Sequence, residues 1–166
     1  MNPGIKASID QAFGFLPQAM DTPKARLMVY AIGFQESEFE HRRQMGNGPA
    51  TGFWQFERGG GVVGVMTHSA SKGFMHSICA ERGVAFDKMS IWQAIQFDDM
   101  LAAVAARLLL YTDPRPLPGI YSPIDPSDPE ASQSWQYYER NWRPGKPHPK
   151  KWPSSMAKAL RELGLE

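Results

Sequence analysis

Prolines placed behind capping residues narrow this chain's folding options more than any other feature. Pro3 follows Asn2, Pro23 follows Thr22 and Pro129 follows Asp128. Asn, Thr and Asp side chains accept hydrogen bonds from the free N–H groups of a first helical turn. Proline has no N–H to leave unpaired and a φ already suited to the first helical position. Pro153 opens one more stretch of the same kind. Behind these prolines run apolar stripes at helical spacing: Ile5, Ile9, Ala12, Phe13 and Leu16, then Leu27, Tyr30, Ala31 and Phe34, then Trp135, Tyr138 and Trp142, then Met156, Leu160 and Leu163. A further helix is predicted from His68 to Arg82, with Ser71, Met75, Ile78 and Cys79 inward and Gly83 as its stop. The longest helix is predicted to open at Ser90, where Gln93 completes a capping box, and to carry Ile91, Ile95, Asp98, Leu101, Ala102, Ala105 and Leu109 on one side. Its small alanines suit close packing at the centre of a bundle. The expected architecture is mainly α: a single helical domain over 1–166, with long irregular loops and at most a minor β element.

The loops fall where turn formers cluster. Gly46-Asn47-Gly48-Pro49 breaks the chain, and Gly59-Gly60-Gly61 is expected to be loop. Thr51 to Phe56 reads as a short strand or irregular segment, and Asp113 to Pro129, with six prolines, as a stiff extended connection. Bulk composition excludes several classes of function. A chain of 166 residues, 42% hydrophobic and 21% charged, can bury a proper core. A formal net charge of +1 provides no global field toward nucleic acid or anionic lipid. Cys79 is the lone cysteine, and His41, His68, His76 and His148 form no recognisable ligand pair, so neither a metal nor another cofactor is expected. The most apolar stretch, Met100 to Tyr111, is shorter than the roughly 20 residues of a membrane span. The N-terminal residues lack the pattern of a secretory signal, which predicts synthesis in a cytoplasm without export and no membrane insertion.

Chemistry concentrates near the end of the second helix. Glu36 lies four residues after Ile32 and seven after Val29, on a face that is otherwise apolar. Desolvation of a carboxyl in such a place raises its pKa and lets it hold a proton near neutrality. Gln35, Glu38 and Glu40 serve as exposed controls on the same helix. A short way downstream comes Gly52-Phe53-Trp54-Gln55-Phe56. Indole faces suit the apolar faces of sugars, and an amide both donates to and accepts from an N-acetyl group. Trp54 and Gln55 are therefore candidate ligand contacts; Phe53 and Phe56 fit the core or the site equally well.

Glu36-Ser37 followed by Gly52-Phe53-Trp54-Gln55 resembles the signature of lytic transglycosylases in the goose-type lysozyme superfamily, above all phage-encoded members. In that family a glutamate-serine pair precedes a glycine-leucine-methionine-glutamine motif, for which this chain has bulkier residues. The specific match spans Phe34 to Phe56. The family also places a tyrosine-asparagine pair on a late helix lining the cleft. Gln136-Tyr137-Tyr138-Glu139-Arg140-Asn141 occupies that region with two adjacent tyrosines and a displaced asparagine. Tyr137 points away from the Trp135–Tyr138–Trp142 ridge, which favours it as the cleft residue, with Tyr138 as the other candidate.

The resemblance implies a lysozyme-like fold acting on a peptidoglycan glycan strand, as a monomer and without a cofactor. It also implies that one glutamate suffices, acting as acid and then base, with Ser37 hydrogen-bonding Glu36 or the N-acetyl group. Synthesis without an export signal would fit a phage endolysin released through a membrane hole, or a lysin carried in the virion. Three alternatives remain. Hydrolytic glycosidases use two carboxylates, and Glu57 or Asp98 could supply the second, although an acid at position 98 more often bonds a backbone or an arginine. A non-catalytic wall-binding or virion protein could keep the fold. The basic segment Arg143, Lys146, His148, Lys150 and Lys151, flanked by Trp142 and Trp152, could stack on single-stranded nucleic acid, but its default reading is a solvated loop and no nucleic-acid partner is expected.

Overall fold

The computed structural model describes residues 1–44 and 46–166. The described residues are mainly helical. They form α1 (Pro3–Phe15), α2 (Pro23–Ser37), α3 (Val63–Thr67), α4 (Lys72–Glu81), α5 (Lys88–Ile95), α6 (Asp99–Tyr111), α7 (Gln133–Trp142) and α8 (Trp152–Leu163), plus a two-stranded sheet of β1 (Ala50–Thr51) and β2 (Phe56–Glu57). None of these helices is long and apolar enough to cross a membrane.

The capping logic accounts for the first two helices. Asn2 accepts from the Gly4 N–H at 2.8 Å and Thr22 from the Ala25 N–H at 3.2 Å, each with proline directly behind. The α1 stripe is buried as its spacing requires. In α2 burial goes further than two apolar ridges: from Ala25 to Ser37 only Arg26 and Glu36 keep solvent contact. The helix is enclosed because α8 packs along it, with α6 and α7 adding further contacts. A helix apolar almost all round belongs in the middle of a structure, so α2 shares the central position with the equally buried Leu101–Leu110 stretch of α6.

The predicted longest helix is two helices. Asp87, not Ser90, caps α5, accepting from the Met89 and Ser90 N–H groups. The chain breaks at Gln96–Asp98, and Asp98 restarts it as the cap of α6, accepting from the Leu101 N–H at 3.0 Å. The apolar period runs in phase across the break, so periodicity alone cannot reveal it. The acid at position 98 is the visible trace, because a carboxylate at a helix start pairs free N–H groups.

Smaller differences have similar causes. His68–Ser71 forms a turn whose Ser71 hydroxyl donates to the Val65 carbonyl at 2.8 Å, so α4 opens at Lys72. Gly83, with φ +65°, ends that segment as expected. Pro129 begins a 3₁₀ turn, and Ser132 caps α7 in place of Asp128. Gly59-Gly60-Gly61 lies within a π-helical turn, Arg58–Val62. One apolar cluster extends from Ile5 on α1 to Ala159 on α8.

Candidate functional site

The end of α2 is fixed from three directions. After Ser37 the backbone leaves the helix through two consecutive left-handed residues, Glu38 and Phe39, both at φ +55°. Neither is glycine, so surrounding contacts must hold this conformation. Phe39 is buried, with its ring edge-on to Phe34, Phe53 and Trp54. It lies against Gly33, where a Cβ would collide with the ring. Glu38 is held by Lys151 at 3.1 Å and Lys158 at 2.6 Å. The Lys151 ammonium also donates to the Gln35 carbonyl at 2.7 Å, satisfying one of the orphan acceptors of a helix C-terminus.

The β-hairpin sits against this corner. β1 and β2 pair antiparallel, Ala50 with Glu57 and Thr51 with Phe56. Gly52 opens the connecting turn at φ +72°, where a Cβ would lie 2.7 Å from the Ile95 carbonyl oxygen. Ser37 ties the turn to α2: its hydroxyl donates to the Phe53 carbonyl at 2.7 Å and accepts from the Phe39 N–H at 3.1 Å. The Trp142 indole N–H donates to the Trp54 carbonyl at 2.9 Å, fastening the turn to α7 as well.

Glu36 lies at the meeting point of these elements. Its side chain keeps partial solvent contact while protein surrounds most of the carboxyl. Burial pushes its pKa up to about 7, which outweighs the Tyr138 hydrogen bond and the Lys151 charge that favour the carboxylate; the Glu57 charge pushes the same way as burial. The Tyr138 hydroxyl donates to Glu36 Oε1 at 2.5 Å. The Tyr138 ring stacks on Trp152, with centroids 5.0 Å apart and planes 16° apart, and lies 6.5 Å from Trp142 at 28°. A buried phenol stacked on two indoles has little rotational freedom, so its hydroxyl is preorganised toward the carboxyl. Desolvation and the neighbouring Glu36 both raise the Tyr138 pKa, so it remains a donor at any working pH.

Several expected contacts take other roles. Trp54 is fully buried and its indole N–H donates to the Val29 carbonyl at 2.8 Å, which makes it a core residue rather than an open shelf for sugar. Phe56 is also core, edge-on to Trp142. Gln55 keeps partial exposure, with φ +49°, and its amide nitrogen donates back to the Gly52 carbonyl at 2.8 Å. Ser37 is buried and bonds backbone groups, so it organises the turn and does not touch the Glu36 carboxyl. The tyrosine preference is reversed: Tyr137 donates to the Leu110 carbonyl at 2.9 Å, while Tyr138 reaches Glu36. Glu57 is exposed and close enough for its charge to act on Glu36. Asp98 is occupied with the α6 cap and with Arg82 at 2.7 Å, not Arg107, which removes it as a second carboxylate. Gln35 is buried rather than an exposed control, donating to the His148 carbonyl and accepting from the Ser155 hydroxyl.

Lys151 and Trp152 are the site residues that sequence reasoning missed. Lys151 reads as part of a solvated basic loop, and nothing in its local sequence points to a partner at Gln35. Trp152 had one legible signal, a large aromatic at the start of a predicted helix that carries its own apolar stripe. The chain matches no family model, no curated protein and no solved structure with which it was compared.

The geometry can hold a proton on Glu36 near neutral pH and orient the group that carries it. Because Tyr138 stabilises the carboxylate, Tyr138→Phe should raise the Glu36 pKa further. For any reaction that requires protonated Glu36, the alkaline limb should then move to higher pH, and lost orientation should slow that reaction about tenfold. Rate profiles of the two proteins from pH 5 to pH 9 would check both effects.

Proposed function

We propose that this protein cleaves the β-1,4 bond between N-acetylmuramic acid and N-acetylglucosamine in peptidoglycan, as a lytic transglycosylase. The observation that carries the reading is a single carboxyl, Glu36, kept near a pKa of about 7 by burial and aimed by the Tyr138 hydroxyl at 2.5 Å. General acid–base catalysis works best when the pKa lies near the operating pH. Protonated Glu36 gives its proton to the glycosidic oxygen as that bond breaks. By the resemblance of Glu36-Ser37 and Gly52-Phe53-Trp54-Gln55 to the family motifs, the substrate N-acetyl group assists at the anomeric carbon. Glu36, now a carboxylate, takes the proton from the muramic 6-hydroxyl, whose oxygen closes on the same carbon. The product is a 1,6-anhydro sugar, and Glu36 ends protonated as it began. Tyr138 steadies the carboxylate stage by donating to Oε1. Gln55, partly exposed on the turn tied to α2, is the residue assigned to the N-acetyl group in this reading.

A phage lysin, acting on the wall from within the host or from the virion, fits this chemistry. The second reading is a muramidase that uses water, with Glu57 activating it. The influence of the Glu57 charge on Glu36 favours keeping it. Mass spectrometry of the soluble fragments from purified sacculi separates the two. The proposed reaction yields ends lighter by one water than reducing ends; a product set made wholly of reducing ends would replace it with hydrolysis.

A further inference from the structure

Across a different face of α7 lies a cavity of about 470 Å³ with no part in the chemistry above. It is bounded by the last turn of α6, the loop that follows, and Tyr137, with His68 at its rim. Its lining includes Arg107, only 5% exposed. Arg107 Nε donates to the Met20 carbonyl at 2.9 Å, and among the described residues its two terminal nitrogens make no hydrogen bond. They are not sealed off, since the only side-chain polar atoms both enclosed and unpartnered among the described residues are Tyr30 Oη and Trp135 Nε1. Arg107 thus lines the cavity and keeps solvent access at its terminal nitrogens.

The nearby acids are already engaged. Asp21 is gripped by Arg26 through both carboxylate oxygens. Asp113 accepts from Arg140 at 2.7 Å, from Asn141 at 2.9 Å and from the Arg115 N–H at 3.0 Å. Arg115 itself has an exposed side chain with no ion pair among the described residues. The cavity thus combines a buried arginine fork, a second arginine at the rim, and apolar walls from Leu110 and the Tyr111 ring, whose centroid is 5.4 Å from the Arg107 guanidinium carbon. A planar guanidinium whose two terminal nitrogens are unpaired offers one free edge to a bidentate oxyanion. The Asp21 charge reaches Arg107, but no carboxylate hydrogen-bonds it among the described residues, and a buried cation gains most from a directly bonded anion.

We infer that this cavity is a binding site for a small oxyanion-bearing ligand, a carboxylate or a phosphate, held on Arg107 with Arg115 closing over it. The site does not depend on the reaction proposed for Glu36. The test is a ¹H–¹⁵N NMR titration of the full chain with sodium acetate and, separately, inorganic phosphate, at constant ionic strength. Saturable shifts in the amides of residues 107–117, with half-saturation on the order of 1–10 mM, are expected for at least one anion. The anion that saturates assigns the site to carboxylate or phosphate; saturation by both supports a general oxyanion site. Arg107→Met should weaken binding at least about tenfold. Arg115→Ala, at an exposed position that leaves the fold intact, should weaken it about threefold. Shifts that stay linear with both anions, or saturable binding unchanged by Arg115→Ala, would overturn the inference even if Arg107→Met failed to fold.

Discussion

Glu36→Gln should cut the release of soluble fragments from purified sacculi by about a thousandfold or more, because the amide can neither give nor reclaim the proton on which both halves of the proposed reaction turn. The same substitution should make the protein more stable. The folded-state pKa of Glu36, about 7, lies above the ordinary 4.5. Between those values the folded protein binds a proton that the unfolded chain has released, so stability falls as pH rises from about 4.5 and levels off above about 7. Glutamine keeps an oxygen for the Tyr138 hydroxyl and never ionises. At pH 8 the variant should exceed the wild type by about 1–3 kcal/mol, the upper end reduced because the side chain is partly solvated, and the gap should close below about pH 5. Urea midpoints at the two pH values check this. Loss of activity together with a pH-dependent gain of stability is the signature of a carboxyl held in an unfavourable place for use. A merely structural glutamate would lose both.

Trp54→Ala should destabilise the protein by about 3–5 kcal/mol, enough to unfold many domains at 37 °C. Trp54 is fully buried, its indole N–H is bonded to the Val29 carbonyl, and its ring meets Phe39 edge-on at 5.5 Å. The alanine would leave a cavity where α2, the hairpin turn and Phe39 meet, and would remove the indole hydrogen bond to the Val29 carbonyl. The milder Trp54→Phe should lower the thermal midpoint while leaving KM for a soluble glycan fragment unchanged. An exposed sugar shelf would behave the opposite way, with KM rising and the midpoint hardly moving.

This reversal shows what the sequence could express about the site. Glu36 was legible because a carboxyl on an apolar helix face breaks the local pattern, and the pattern is local. Aromatic residues carry no such mark: Phe53 and Phe56 read equally well as site or core, Trp54 reads as a ligand contact and is core, and Phe39 folding back over Gly33 packs against both Phe53 and Trp54. That fold-back needs two left-handed residues, Glu38 and Phe39, neither of which is a type that advertises a positive φ. The two tyrosines of α7 posed a similar problem. The Trp135–Tyr138–Trp142 ridge was correctly spaced, but assigning the free residue required knowing that the ridge itself faces Glu36. The helices fared better. Asn2, Thr22 and their prolines marked true starts, whereas the break at Asp98 was hidden by an apolar period that runs straight through it. Lys151 and Trp152 lie more than a hundred residues from Glu36 in sequence and meet the site only because α8 packs along α2.

Everything proposed for this site requires that Glu36 hold its proton near neutrality beside Tyr138. The direct measurement is the ionisation of that one carboxyl, followed by the ¹³C shift of its side-chain carbonyl in folded protein labelled at glutamate, with Glu36→Gln to assign the signal. The predicted midpoint is about 7, moving upward in Tyr138→Phe. A midpoint near the ordinary 4.5, unchanged by loss of the Tyr138 hydroxyl, would contradict it.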